Sequence, residues 1–160
     1  MNGMQTGDFD GDGSLDVVIN GNDYGTDVSI GRYDALNGLM LKGDGKGNFK
    51  PLNILQSGIY IPGNGKALVQ MRSKNGNLLL AASQNKDSLK VFKLNAPVKT
   101  MPIKPTDAYA LIKYRNGKAE KQEFYYGSSF LSQSARFMKM DDDMTSIIIY
   151  DDNGKSRVIK

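Results

Sequence analysis

A chain of 160 residues with 39% hydrophobic and 24% charged side chains can bury one core or two small ones, with the balance of a soluble globular protein. It contains no cysteine and no histidine, which excludes disulfides, thiolate nucleophiles, zinc–thiolate sites and the usual near-neutral general base. The net charge of +4 is spread thinly, with no two basic residues adjacent, so no nucleic-acid footprint is expected, and no apolar run approaches the roughly eighteen residues of a membrane span.

The amino end, "MNGMQTGDFDGDG", has neither a basic start nor an apolar stretch and does not read as a signal peptide. The chain is therefore expected either to be cytosolic or to begin inside a longer precursor. Directly after comes "GDFDGDGSLD" (7–16), which concentrates aspartates in a chain of net positive charge. Counted from Asp8, carboxylates fall at positions one, three, five and nine: Asp8, Asp10, Asp12 and Asp16. Ser14, at position seven, can turn its backbone carbonyl inward, while Gly11 and Gly13 permit the curvature. Carboxylates this close repel unless a cation supplies the attraction, and so many hard oxygen donors suit Ca²⁺ better than Mg²⁺. A polar turn tolerant of positive φ is the bland alternative; one Asp–Gly pair would fit it, but alternating aspartates beside a strand favour calcium. The pattern is not a full EF-hand, because the twelfth position is Ile19, inside a strand, where a bidentate glutamate would be needed. The expected role of the ion is to rigidify a β-turn.

From there the chain reads as β throughout. "LDVVING" (15–21), "GLMLKG" (38–43), "KALVQMRS" (66–73), "NLLLAAS" (77–83) and "SLKVFKLN" (88–95) are short, apolar or β-branched, and bounded by Gly- and Asn-rich turns. In "APVKTMPIKP" (96–105) three prolines fall within nine residues, which predicts a linker. Beyond it, hairpins are expected around Asn116–Gly117 and Asn153–Gly154. No convincing amphipathic helix is present; "SQSARFMKM" (132–140) comes nearest and lacks length and a cap.

Other polar groupings read as ordinary structure. The three carboxylates of "MDDDM" (140–144) are consecutive, point in alternating directions and suit a solvated turn. Asp151 and Asp152 lie at a hairpin turn, and "GDGKGNF" lacks the Gly-Lys-Ser/Thr ending of a phosphate loop. Tyr109, Tyr114, Tyr125 and Tyr126 could stack on sugar rings, yet tyrosine is a routine strand residue. Paired carboxylates can run glycoside hydrolysis, but the only tight cluster is the one explained by calcium, and a metal-bound carboxylate is a poor proton shuttle. No enzyme activity is expected.

"GDFDGDGSLDVVINGN" resembles the loop of FG-GAP (VCBS-type) repeats, the blades of integrin α-subunit propellers and of many secreted bacterial proteins. The resemblance implies that Asp8, Asp10, Asp12, the Ser14 carbonyl and Asp16 hold calcium between the first two strands of a blade. "LMLKGDGKGNFKPL" (39–52) is similar to the end of such a repeat. The tail is similar to the ASPIC/UnbV segment that follows these repeats in the cartilage acidic protein family. That likeness is carried by Gly127, Leu131, Ser132, Gln133 and Ser134, although "FMKM" stands where that family tends to have His-Phe-Gly-Leu-Gly.

Residues and resemblance together predict an all-β chain of antiparallel sheets. Incomplete propeller-type blades occupy 1–49 and 50–95, the linker spans 96–105, and a small ASPIC/UnbV-like β domain covers 106–160. Closing a propeller takes about four to eight blades, so pairing with missing upstream blades or with another copy is expected. The resemblance implies a secreted or cell-surface, calcium-stabilised binding module for a protein or glycan. The rival readings are an accessory or partial domain of a polysaccharide-degrading enzyme, and a purely structural module.

Overall fold

The computed structural model describes residues 1–94, 98–127 and 132–160. The described residues are almost all β, with antiparallel pairing throughout, as the turn-bounded apolar runs predict. They form two compact units: residues up to 94 with 127 and 132–135, and residues 98–126 with 136–160. No helix among the described residues is long and apolar enough to cross a membrane.

The first unit opens with a four-stranded antiparallel meander, β1 (Gly3–Gly7), β2 (Asp16–Asn20), β3 (Leu39–Gly43) and β4 (Phe49–Leu52), in that spatial order. Alternation sets the faces: along Asp-Val-Val-Ile-Asn, buried and half-buried positions alternate, and Val18 points into the core. A single helical turn, α1 (Ile54–Ser57), follows. Asn53 and Gln56 cap it reciprocally, each side chain accepting from the other's backbone N–H, and Gly58 ends it at φ 69°. Its residues bury no apolar face, so only the Asn-x-x-Gln pair marks it in the sequence.

A second sheet, β5 (Asn64–Arg72), β6 (Leu78–Asn85) and β7 (Lys90–Lys93), completes this unit. Its core joins Phe9, Val18 and Met40 of the meander region to Ile59, Ile61, Leu68, Leu80 and Ala82. The side of β5 away from β6 is met by groups from residues 132–135 and by Gln5. Leu68 N–H donates to Ser132 Oγ (3.1 Å) and Gln70 N–H to Ser134 Oγ (3.0 Å). Ala135 N–H donates to Gln70 O (2.8 Å), and the buried Gln5 amide donates to Leu68 O (2.8 Å). Exposed N–H and C=O rows invite strand addition, and these groups satisfy them locally.

In the second unit, β8 (Lys99–Pro102) pairs with β11 (Phe137–Met140). A separate sheet runs β10 (Ala119–Glu123), β9 (Asp107–Tyr114), β12 (Met144–Asp151), β13 (Ser156–Val158). Tight turns at Asn116–Gly117 and Asn153–Gly154 join β9 to β10 and β12 to β13, with both glycines at positive φ. Ala110, Ile112, Phe124, Met138, Met144, Ile147 and Ile149 make the core.

Two elements depart from the sequence expectation. The proline-rich stretch contains β8: Met101 and Ile103 pack on the core, and Pro102 sits at the strand's last position, where its missing N–H is tolerated. The segment expected to run as one piece over 106–160 is interrupted, because 132–135 attach to β5 of the first unit. Of the residues carrying the tail resemblance, Gly127 takes a positive φ, Ser132 is buried, Gln133 is exposed and Ser134 bonds to β5; Leu131 lies outside the described residues.

Candidate metal centre

The β1–β2 hairpin closes with Gly7 opposite Asp16, leaving residues 8–15 as its loop. Short side-chain-to-backbone bonds fold that loop. The Asp8 carboxylate accepts from Gly11 N–H (2.7 Å) and Gly13 N–H (3.1 Å), Asp10 from Asp12 N–H (3.2 Å), and Asp12 from Ser14 N–H (2.8 Å). Gly11 and Gly13 sit at φ 86° and 84°, where a β-carbon would be strained.

Asp16 holds the loop from below. It is fully buried, and its two oxygens accept from Phe9 N–H (3.0 Å) and Gly43 N–H (3.0 Å). Phe9 is itself in the core, so one carboxylate ties the loop, the core and β3 together.

One oxygen from each of Asp8, Asp10 and Asp16 lies within 4.8 Å of the others. Oxygens bound to one calcium at about 2.3–2.6 Å are separated by at most about 5 Å, so this trio has the spacing of a common coordination sphere. The N–H groups bonded to Asp8 and Asp16 orient those carboxylates without exhausting them, since each carboxylate has about four lone-pair sites. Hard, anionic oxygens alone make a donor set for a hard cation and not for a soft metal.

Asp12 is not part of that trio. It meets the ammonium of Lys42, on β3, at 2.8 Å, and the same ammonium bonds Asp10. Lys42 draws the Asp12 carboxyl below its ordinary range, helped by the Ser14 amide. The two carboxylates in turn push the Lys42 ammonium up, Asp10 most strongly. Ser14, expected to offer its carbonyl, is half-buried and spends its amide on Asp12.

Lys42 and Gly43 belong to the site and carry no local sign of it in the sequence. Gly43 is needed for close approach: a β-carbon there would collide with the Leu15 carbonyl oxygen, which is backbone and has little room to yield. Gly43→Ala is expected to lower stability by about 1–3 kcal/mol, read as a shifted denaturant midpoint; an unchanged midpoint would mean that the loop gives way freely.

Two other aspartate groupings of the sequence are spent on local contacts in turns. Asp44 accepts from Lys46 N–H (2.8 Å), Asn48 N–H (3.0 Å) and the Asn48 amide (2.7 Å), closing the β3–β4 turn. In the 141–143 run, Asp141 accepts from Asp143 N–H (3.1 Å), while Asp142 pairs with Lys99 (2.7 Å). Two of the tyrosine rings are engaged by neighbours, while Tyr125 and Tyr126 stay 69% and 65% exposed. Tyr109 stacks on Tyr150 (centroids 4.9 Å apart) and has the Lys121 ammonium over its ring, and the Arg136 guanidinium lies over Tyr126.

No known family model matches the chain, and no curated protein matches it.

Proposed function

We propose that this chain is a calcium-stabilised, extracellular binding module without catalysis of its own, related to FG-GAP-type blades. The observation that carries the reading is the convergence of Asp8, Asp10 and Asp16 oxygens on the loop of a β-hairpin. The four-stranded meander that contains this loop has the strand order a propeller blade would have. With the ion present, Asp8, Asp10 and Asp16 would hold it, and it would supply the positive charge that lets these carboxylates crowd together. Asp12 and the Ser14 carbonyl are the further ligands that the sequence spacing implies.

A protein or glycan is the expected ligand, and the exposed apolar residues favour a protein. The β2–β3 connection is anchored by Asn22, whose amide donates to Pro62 O (3.0 Å) while its oxygen accepts from Leu36 N–H (2.9 Å). At the far end of this connection Val28 is 99% exposed and Ile30 62%. Anchored presentation of aliphatic side chains is how a recognition loop is built. Tyr150 stacked on Tyr109 and the Lys121 ammonium over the same ring speak against sugar stacking there.

Calorimetry with calcium chloride tests the reading. A single site of the extracellular class, with Kd about 10⁻⁴–10⁻³ M, is expected in the wild type and lost in Asp10→Ala. At a calcium concentration ten times Kd the ion should add about 1.4 kcal/mol of stability, raising the melting temperature in calcium over that in chelator. No heat and no shift in melting would overturn the proposal.

A further inference from the structure

We infer that Lys42 is a tethered internal cation that competes with the divalent ion for the aspartate loop, so that calcium enters by displacing an ammonium rather than by filling an open ring. The inference rests on the calcium reading proposed above.

The placement of Lys42 follows from the pairing of β2 with β3. Val17 lies opposite Leu41, and the next amide but one, Gly43 N–H, is held by Asp16 Oδ1 at 3.0 Å. The residue between, Lys42, is thereby fixed beside the loop, and its ammonium reaches Asp10 and Asp12. Asp10 thus serves two groupings: it contributes to the oxygen trio and it binds the ammonium. A monovalent and a divalent cation sharing Asp10 repel each other, and Asp12 turns towards the ion only if it leaves Lys42. The Lys42 side chain is 39% exposed and carries a flexible four-carbon stem, so the displaced ammonium has solvent to move into.

Two consequences follow. With chelator present, the loop keeps part of its charge compensation from Lys42 and is not left as an uncompensated ring of carboxylates. In calcium, the cost of removing the ammonium weakens the observed affinity.

The test is calcium titration by calorimetry on the whole chain, at fixed ionic strength, for wild type, Lys42→Met and Lys42→Arg. Lys42→Met is expected to bind calcium about tenfold more tightly, within the usual span of coupling between two sites. Lys42→Arg should stay near the wild type. In chelator, Lys42→Met should melt below the wild type, and calcium should remove that difference. Equal affinity in wild type and Lys42→Met, or weaker binding in Lys42→Met, would overturn the inference and leave the calcium reading standing. Absence of binding in both would overturn the two together. Lys42→Gln, which keeps a polar end without charge, should behave as Lys42→Met and serves in its place if the methionine variant fails to fold.

Discussion

Replacing Asp107 by alanine is expected to remove about 2–4 kcal/mol of stability, somewhat less than stripping one partner from a fully buried ion pair, because the Arg157 side chain is 30% exposed. Asp107 begins β9 and is 2% exposed. Both of its oxygens bond the guanidinium of Arg157, on the three-residue edge strand β13, and one also accepts from Lys104 N–H at 2.7 Å. Alanine would leave a cation that is only partly solvated and a backbone donor without its acceptor, and it would remove the side-chain tie between β9 and the last strand, which itself pairs with β12. Denaturant titration of wild type and Asp107→Ala measures the loss. A difference under about 1 kcal/mol would place the pair with exposed ion pairs, which contribute little.

The same pair makes stability depend on acid. Arg157 is the main reason the Asp107 carboxyl sits below its ordinary range; the Lys104 amide adds to the effect, and burial opposes it. A carboxylate with a lowered folded pKa stabilises fully above its unfolded value of about 3.9 and loses that contribution as pH falls through the folded one. Asp12, Asp23, Asp27, Asp44, Asp142 and Glu123 are lowered as well, so their contributions have the same sign. The melting temperature is expected to hold steady down to about pH 5 and to fall below it, with a shallower fall in Asp107→Asn. Parallel curves for the two proteins would show that Asp107 contributes nothing to the acid transition.

Asp16→Ala should cost about 2–6 kcal/mol even in chelator, from two buried N–H groups left unpaired at about 1–3 kcal/mol each. The donors are Phe9 and Gly43, one leading into the core and one on β3, so the loss spreads beyond the loop. Asp16→Asn keeps one acceptor and turns a donor towards the other N–H, which places it between alanine and the wild type. Running both variants in chelator separates this structural role from any metal-binding one. A wild-type midpoint for Asp16→Ala under those conditions would show that the two bonds are replaced by water or by movement of the loop.

Much of this arrangement was legible in the residues themselves. The alternation of Asp16–Asn20, the Asn–Gly turns and the short spacing of Asp8, Asp10 and Asp16 are local signals, and local sterics and side-chain direction turn them into strands, hairpins and a shared focus. Lys42 was not legible, because its meeting with Asp10 depends on the register between β2 and β3, and nothing near Lys42 encodes that register. The strand β8 was masked by prolines that read as linker, although Met101 and Ile103 carry the apolar pattern that buries it. The attachment of residues 132–135 to β5 spans more than sixty residues of chain and rests on two serine hydroxyls and one backbone bond, and serine is equally at home in a loop.

That serine strip has a bearing on how the molecule can be inherited. Among the described residues, the first unit takes in those up to 94 and then 127 and 132–135, with 98–126 and 136–160 in the second. A gene split at the proline-rich stretch would therefore encode an amino-terminal product whose β5 lacks the cover supplied by Ser132, Ser134 and Ala135. Such a product would expose a seam ready to capture any extended polypeptide, its own sibling copies included. Recombination that shuffles these two units must move them as a single block or first evolve a new lid for that seam.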